Sequence, residues 1–191
     1  MARFGYRYPR YCPLTISDDG TETLGAGKSI GKGVRAEVTI NINDVKMYGD
    51  DALAEGIKSF KDGTAAVTVD DLSDEAYAGL TGAKIVDEEL VSKEDDIAPF
   101  VRLAWIRRKM KNNKLYYIGI CYTKVQFGIP SETDETQGED PTLQPELING
   151  SLYRNTEGIW RRSKKFEELE DAVAYINSLV NYAEPTPSPG G

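Results

Sequence analysis

An α+β fold in which strands dominate and two helices flank them is what this chain predicts. Three observations carry that prediction. Residues 34–42 alternate strictly, with Val34, Ala36, Val38, Ile40 and Ile42 on one side and Arg35, Glu37, Thr39 and Asn41 on the other, the period of a half-buried strand. Residues 100–127 read as a long hairpin: Val101, Leu103 and Trp105 alternate before the turn KNNK at 111–114, and Tyr116, Ile118, Ile120 and Tyr122 after it. Helical spacing occurs only at 72–82 and 167–180, so the sum is roughly seven or eight strands and two helices.

Taken in order, residues 3–14, RFGYRYPRYCPL, combine aromatics, arginines and two prolines with neither helical nor strand periodicity. Prolines remove backbone donors, and tyrosine and arginine are enriched where one surface is buried on another, so this run reads as a docking arm that makes poor core material. Residues 25–33, GAGKSIGKG, read as a glycine-rich turn. Beyond Ile42 the apolar positions shift to Val45 and Met47, the mark of a bulge or bend. An acidic segment and an irregular extension follow to Phe60, and 64–69 is a short strand. In DDLSDEAYAGLTG, Ser73 can cap a helix, Asp74 and Glu75 suit its positive start, Leu72 and Tyr77 can staple it and Gly82 can end it, with Leu72, Ala76 and Leu80 facing the core.

The return strand of the long hairpin also has Tyr117, Cys121, Val125 and Phe127 on its other face, so both faces are expected to be covered, as in a sandwich or a multi-chain sheet. Residues 130–141 form an acidic, turn-rich loop, and 143–153 and 158–162 supply two more strands. The stripe Leu169, Val173, Ile176 and Val180 places the last helix against a sheet, with Glu167, Glu168, Glu170 and Asp171 near its start. The Pro/Gly-rich tail 183–191 is expected to be disordered, leaving 15–182 as a single domain.

With 23 basic and 31 acidic residues, the net charge of −8 disfavours a generic nucleic-acid or anionic-membrane binder. No stretch approaches the roughly 20 apolar residues of a membrane span and the basic start lacks a signal-peptide core, so a soluble product made in a cytoplasm is expected. Cys12 and Cys121 have neither the number nor the spacing of a disulfide framework or zinc site, and read as reduced thiols. The absence of histidine removes histidine-based hydrolases, the common zinc and non-haem iron sites and imidazole pH switches.

Three stretches invite chemistry. Gly27-Lys28-Ser29 mimics a phosphate loop, but the pattern needs a glycine at the position of Glu22 and a helix where a strand follows. Asp87, Glu88, Glu89, Glu94, Asp95 and Asp96 lack calcium-loop spacing and read as a solvated acidic face, with a metal-dependent enzyme as the remote reading. Arg107, Arg108, Lys109, Lys111 and Lys114, with Arg161, Arg162, Lys164 and Lys165, lie near Tyr116, Tyr117 and Trp160. They could hold a single nucleic-acid strand, but contact with acidic loops of neighbouring copies is favoured.

In order and spacing these segments resemble the major tail protein of phages with long non-contractile tails. The likeness spans 3–180 and rests on RFGYRYPRYCPL, NDVKMYGDDALAE at 43–55, VTVDDLSDEAYAGLTG at 67–82, YYIGICYTKVQFGIPSE at 116–132, QPELINGSLY at 144–153 and FEELEDAVAYINSLV at 166–180. The resemblance implies a tail-tube β-sandwich with one short and one C-terminal helix. Its copies would close into hexameric rings, pool strands into an inner β-barrel and stack into the conduit for DNA ejection, where an acidic lumen keeps phosphates from sticking. It implies a structural virion protein rather than an enzyme, located in the tail after assembly in the host bacterial cytoplasm, with no cofactor, catalytic residue, metal or membrane partner. Tape measure, tail terminator and distal tail proteins would be its partners. The tube of a contractile tail or phage-derived bacteriocin is the alternative, and a single-strand nucleic-acid binder the more distant one. Contacts between rings would fall on the arm, through Phe4, Tyr6, Arg7, Tyr8 and Tyr11, and on the loop after Tyr48, through Asp50, Asp51, Leu53, Ile57 and Phe60. On this reading, deletion of residues 2–11 leaves a folded subunit that no longer forms tubes.

Overall fold

A computed structural model describes residues 2–49, 52–131 and 145–184, with the side chains of 2–4, 47–49 and 52–55 outside that description. In chain order the described residues form β1 (Ala2–Ile16), β2 (Glu22–Leu24), β3 (Lys28–Ser29), β4 (Gly33–Gly49), β5 (Ala52–Val69), α1 (Asp74–Thr81), β6 (Lys84–Val86), β7 (Glu89–Val91), β8 (Phe100–Lys111), β9 (Lys114–Phe127), β10 (Glu146–Tyr153), β11 (Arg161–Phe166) and α2 (Leu169–Leu179). The fold is mainly β, with a large antiparallel sheet in the order β2-β1-β8-β9-β10-β5-β4; β3 joins it at β1 and β11 at β9, and β6–β7 stands apart as a two-stranded sheet.

The β8–β9 hairpin is its centre, and the turn is set by Asn112 and Asn113, whose φ angles of 50° and 57° suit the tight type I′ connection. Because side chains alternate, Leu103, Trp105, Ile120 and Tyr122 enter one core while Ala104, Ile106 and Cys121 enter another. Along one margin β9 divides its pairing: residues 117–122 bond β11, and 124–127 bond β10. From there β10 and β5 return over the first core, contributing Ile148, Leu152, Ala65 and Val67, with Ala76 and Leu80 of α1 closing it. The second core is capped by Ala172, Ile176 and Val180 of the last helical segment. Both faces of the long hairpin are therefore covered, as its sequence pattern required.

α1 follows its sequence signals. The Ser73 side chain accepts a hydrogen bond from the Ala76 N–H (3.3 Å), and Gly82 ends the helix in the left-handed region at φ 89°. Leu72, Ala76 and Leu80 are buried, as expected. α2 is two residues shorter at its start than the expected 167–180. The last two strands also move: β10 begins at Glu146, with 143–144 outside the described residues, and β11 starts at Arg161 because Gly158 is in a turn (φ 79°).

The reading of residues 1–14 as an arm without strand character is corrected. Residues 2–16 form β1, an interior strand paired with β8 from Ala2↔Met110 to Pro13↔Val101. Two register breaks, between Phe4 and Tyr6 and between Arg7 and Arg10, scramble the period-two pattern, and Gly5 and Tyr8 take positive φ at those breaks. The prolines remain bonded through their carbonyls: Ile30 N–H donates to Pro9 O (3.1 Å) and Gly25 N–H to Pro13 O (2.8 Å). Tyr11 and Cys12 are fully buried, one in each core.

The glycine-rich run is built into the sheet rather than left as a loose turn. Lys28 and Ser29 form β3 against Arg10 and Tyr11, and the chain continues into a strand, not a helix. Gly27 N–H donates to Asn181 O (2.8 Å), and Asn181 Nδ2 donates to Gly25 O (3.1 Å), so the run receives the end of α2. A Cβ at Gly27 would lie 2.7 Å from Tyr182 Cα. Gly27→Ala is expected to cost about 1–3 kcal/mol in urea unfolding, and an unchanged midpoint would show that this approach tolerates a side chain. Nearby, Arg102 joins three segments: its Nη2 is 3.8 Å from Glu22 Oε2, its Nη1 donates to Leu179 O (3.2 Å), and Glu22 Oε1 accepts from Thr156 N–H (2.9 Å).

Cys12 and Cys121 are free thiols in the core under α2. Burial pushes Cys12 up to about 11 and Cys121 up to about 12, and burial raises Tyr6 and Tyr11 as well. A folded state that holds these protons more tightly than the unfolded chain keeps this stabilisation below the unfolded thiol value near 9.0 and loses it as pH rises through about 11–12. Each thiol can lower the folding constant by at most about tenfold per pH unit in that window. Urea midpoints are expected to fall from pH 9 to 11 while a thiol reagent at pH 8 labels neither cysteine before unfolding; a midpoint rising with pH contradicts this.

Candidate assembly surfaces

β4 and β5 pair without interruption in direction from Gly33↔Val69 to Gly49↔Ala52, but β10 accompanies β5 only over residues 63–69. The rest is a two-stranded ribbon, and over the described residues 52–60 this corrects the expected loop, as it does the short strand at 64–69: β5 already begins at Ala52. The foreseen shift beyond Ile42 is present as a register break between Asn41 and Ile42. Beyond it β10 no longer accompanies β5, and apolar side chains on both faces of the ribbon are exposed. Val45 and Ile57 are cross-strand partners, 61 % and 62 % exposed, while Ile42, opposite Phe60, is 52 % exposed. Phe60 is held by stacking on Trp160 at 4.6 Å. The other margin of β4 is unpaired among the described residues.

An isolated two-stranded ribbon is marginal in water, and unpaired margins with exposed apolar residues invite another chain. The arrangement is chemically suited to strand addition. Trp105 and Tyr122, by contrast, form the interior aromatic pair of the subunit at 5.0 Å.

A cleft of about 720 Å³ opens where β1 meets the entrance to α1, lined by Tyr6, Tyr8, Arg10, Lys32, Asp70 and Tyr182 among others. Arg10 is 6 % exposed, lies 3.9 Å beneath the Tyr182 ring and reaches Glu184 at 3.4 Å. Asp70 accepts from Lys32 N–H (2.7 Å), which holds its carboxyl below the usual carboxylate range. Lys32 Nζ lies 3.7 Å from Asp70 Oδ2, so these two groups of the cleft engage each other. Among the described residues no group of three or more Cys, Asp or Glu side chains is placed to hold a metal ion, and no helix is long and apolar enough to cross a membrane.

The expected contact residues separate. Tyr11 belongs to the subunit's own core, and Tyr6 is half-buried, packing edge-on to Trp105 at 5.7 Å with its remaining surface in the cleft. Arg7 and Tyr8 are exposed beside the cleft. Ile57 is exposed on the ribbon, and Phe60 is half-buried at its base. Asp50 and Asp51 lie outside the described residues, as do the side chains of Phe4, Tyr48 and Leu53 and the 132–144 and 185–191 segments. Sequence reading missed Val45 and Ile42 as surface residues, though the shifted apolar positions after Ile42 were their signal.

The two basic runs converge. β11 lies beside β9, so Lys165 reaches to 4.1 Å from the Tyr116 ring, and Lys114 bonds Glu167 at 2.7 Å. That bond raises the Lys114 pKa and lowers that of Glu167. No protein-family model matches the chain, and no curated protein matches it either.

Proposed function

We propose that this chain is the repeating subunit of a hollow tube, the tail tube of a long non-contractile phage tail, assembled as stacked hexameric rings and serving as the conduit for DNA ejection. The β4–β5 ribbon carries this reading. It extends past the sheet, has an unpaired margin among the described residues and exposes Val45 and Ile57 as a matched pair. In a closed ring, the ribbon of each copy would lie against those of its neighbours, pairing open backbone and removing apolar surface from water. A subunit built this way works through its margins, and the net charge of −8 suits a conduit through which DNA must slide without adhering.

Negative-stain electron microscopy of the concentrated protein, paired with sedimentation, tests this directly. Hollow tubes or six-membered rings are expected. A chain that stays monomeric up to millimolar concentration and under crowding overturns the reading.

A further inference from the structure

Acidic and basic side chains are concentrated on different segments of the molecule. At the Phe100 end of the β8–β9 hairpin, the segment from β6 to residue 96 forms a small lobe whose six carboxylates, Asp87, Glu88, Glu89, Glu94, Asp95 and Asp96, outnumber Lys84 and Lys93. Its hairpin turn, Asp87-Glu88, takes φ 51° and 65°, and Ile85 and Val86 beside it are 44 % and 52 % exposed. The lobe is tied to the base of the long hairpin, where Gln126 Nε2 donates to Ala98 O (2.8 Å). None of Asp87, Glu88, Glu89, Glu94 and Asp95 pairs with a cation among the described residues.

Near the turn of the hairpin and along β11, which flanks residues 117–122 of β9, residues 109–114 and 161–165 hold seven basic side chains, of which Lys114 pairs with Glu167 at 2.7 Å and Arg162 with Glu157 at 3.7 Å. Lys111 and Lys164 have no salt-bridge partner among the described residues, whereas Lys165 acts on the Glu167 carboxylate, and β11 has a second margin that no described strand covers. β8 spans twelve residues, about 36 Å at ~3.3 Å per residue, which separates the lobe from Lys109 and Lys111 near the turn, and no ion pair joins the lobe to β11 among the described residues.

We propose that the acidic β6–β7 lobe of one copy docks on the basic face, formed by β11 and the β8–β9 turn, of a second copy. This contact is head-to-tail and heterologous, the kind that propagates into a ring or a filament. The complementary charges fix its direction and suppress head-to-head encounter, while Ile85 and Val86 supply apolar contact behind them. It rests on the tube reading for its place in an assembly but is testable without it.

Two charge reversals test it by sedimentation and chemical cross-linking. E89K/E94K/D95K makes the lobe basic and spares the two positive-φ turn residues; K109E/K111E/K164E/K165E makes the opposite face acidic. Each variant alone is expected to self-associate roughly tenfold or more weakly than the unaltered chain, because its two ends now carry like charge, and a 1:1 mixture should re-associate. Unchanged association of either variant, or a mixture that stays apart, overturns the contact even if the unaltered protein forms tubes. Charge-rescued association in a protein that forms neither rings nor tubes upholds the contact and defeats the tube reading. If instead the lysine variant loses retention of a single-stranded oligonucleotide while its association is unchanged, the face is a nucleic-acid surface and the proposal falls.

Discussion

Deletion of residues 2–11 is expected to leave a chain with no cooperative unfolding transition, reversing what the sequence alone suggests. β1 lies between β2 and β8, so its removal exposes a margin of β8 along most of its length. Tyr11 has no exposed surface. An aromatic side chain of this kind removes on the order of 150–250 Å² from water, roughly 4–6 kcal/mol at ~25 cal/mol/Å². That alone is comparable with the about 5–15 kcal/mol that holds a typical domain together. The loss also removes Tyr6 from the edge of Trp105 and the Arg10 anchor beneath Tyr182. Near-UV circular dichroism and a urea titration check it. A sharp transition in the truncated protein would mean that the strand is dispensable and that an arm is the better description after all.

The V45D/I57D variant should separate assembly from folding. Both side chains are more than half exposed and lie opposite each other on the ribbon, away from either core, so the subunit's melting temperature should move little. In an assembled state they would be buried, and full burial of two such side chains is worth about 3–6 kcal/mol, or roughly 10²–10⁴-fold in an association constant. Aspartate forfeits that gain and adds a desolvation cost. The variant is therefore expected to sediment as a folded monomer under conditions where the unaltered protein forms tubes. V45T/I57T, which keeps β-branched side chains, should show a smaller loss and guards against simple ribbon disruption. Tubes of normal appearance from the aspartate variant would remove the ribbon from the assembly mechanism.

How much could be read from the residues follows physical lines. The β8–β9 hairpin was legible because both of its faces are apolar over many residues and Asn112-Asn113 is a favoured turn pair. α1 was legible because its caps are local chemistry. β1 was not, since two register breaks and two prolines hide its alternation, and its bonds run to segments distant in the chain. The β6–β7 hairpin was hidden by its turn: Asp87-Glu88 is an uncommon pair at positive φ, and a dense run of carboxylates reads as solvent-facing loop. For the assembly surface, the apolar shift after Ile42 marked a bend. That Val45 and Ile57 are exposed depends on β5 continuing opposite β4 beyond the reach of β10, which the glycine and lysine content of 56–61 did not suggest.

The pairing of β1 with β8 also bears on the life of the nascent polypeptide. β1 is made at the outset, but its neighbour is encoded about 90–110 residues later. At roughly 5–20 residues per second, the ribosome needs about 5–20 s to deliver that neighbour. During this interval β1 has only the short β2 and β3 to pair with, and Tyr6 and Tyr11 lack the β8–β9 hairpin against which they pack. The final closure, in which Gly27 receives Asn181 and Arg10 receives Tyr182, waits for nearly the whole chain. Ribbon and lobe can form earlier from neighbouring residues, so the surfaces proposed to meet other copies emerge before the body that orients them. Synthesis on crowded polysomes would expose those surfaces to one another, and a factor that shields unfinished chains would raise the yield of folded protein.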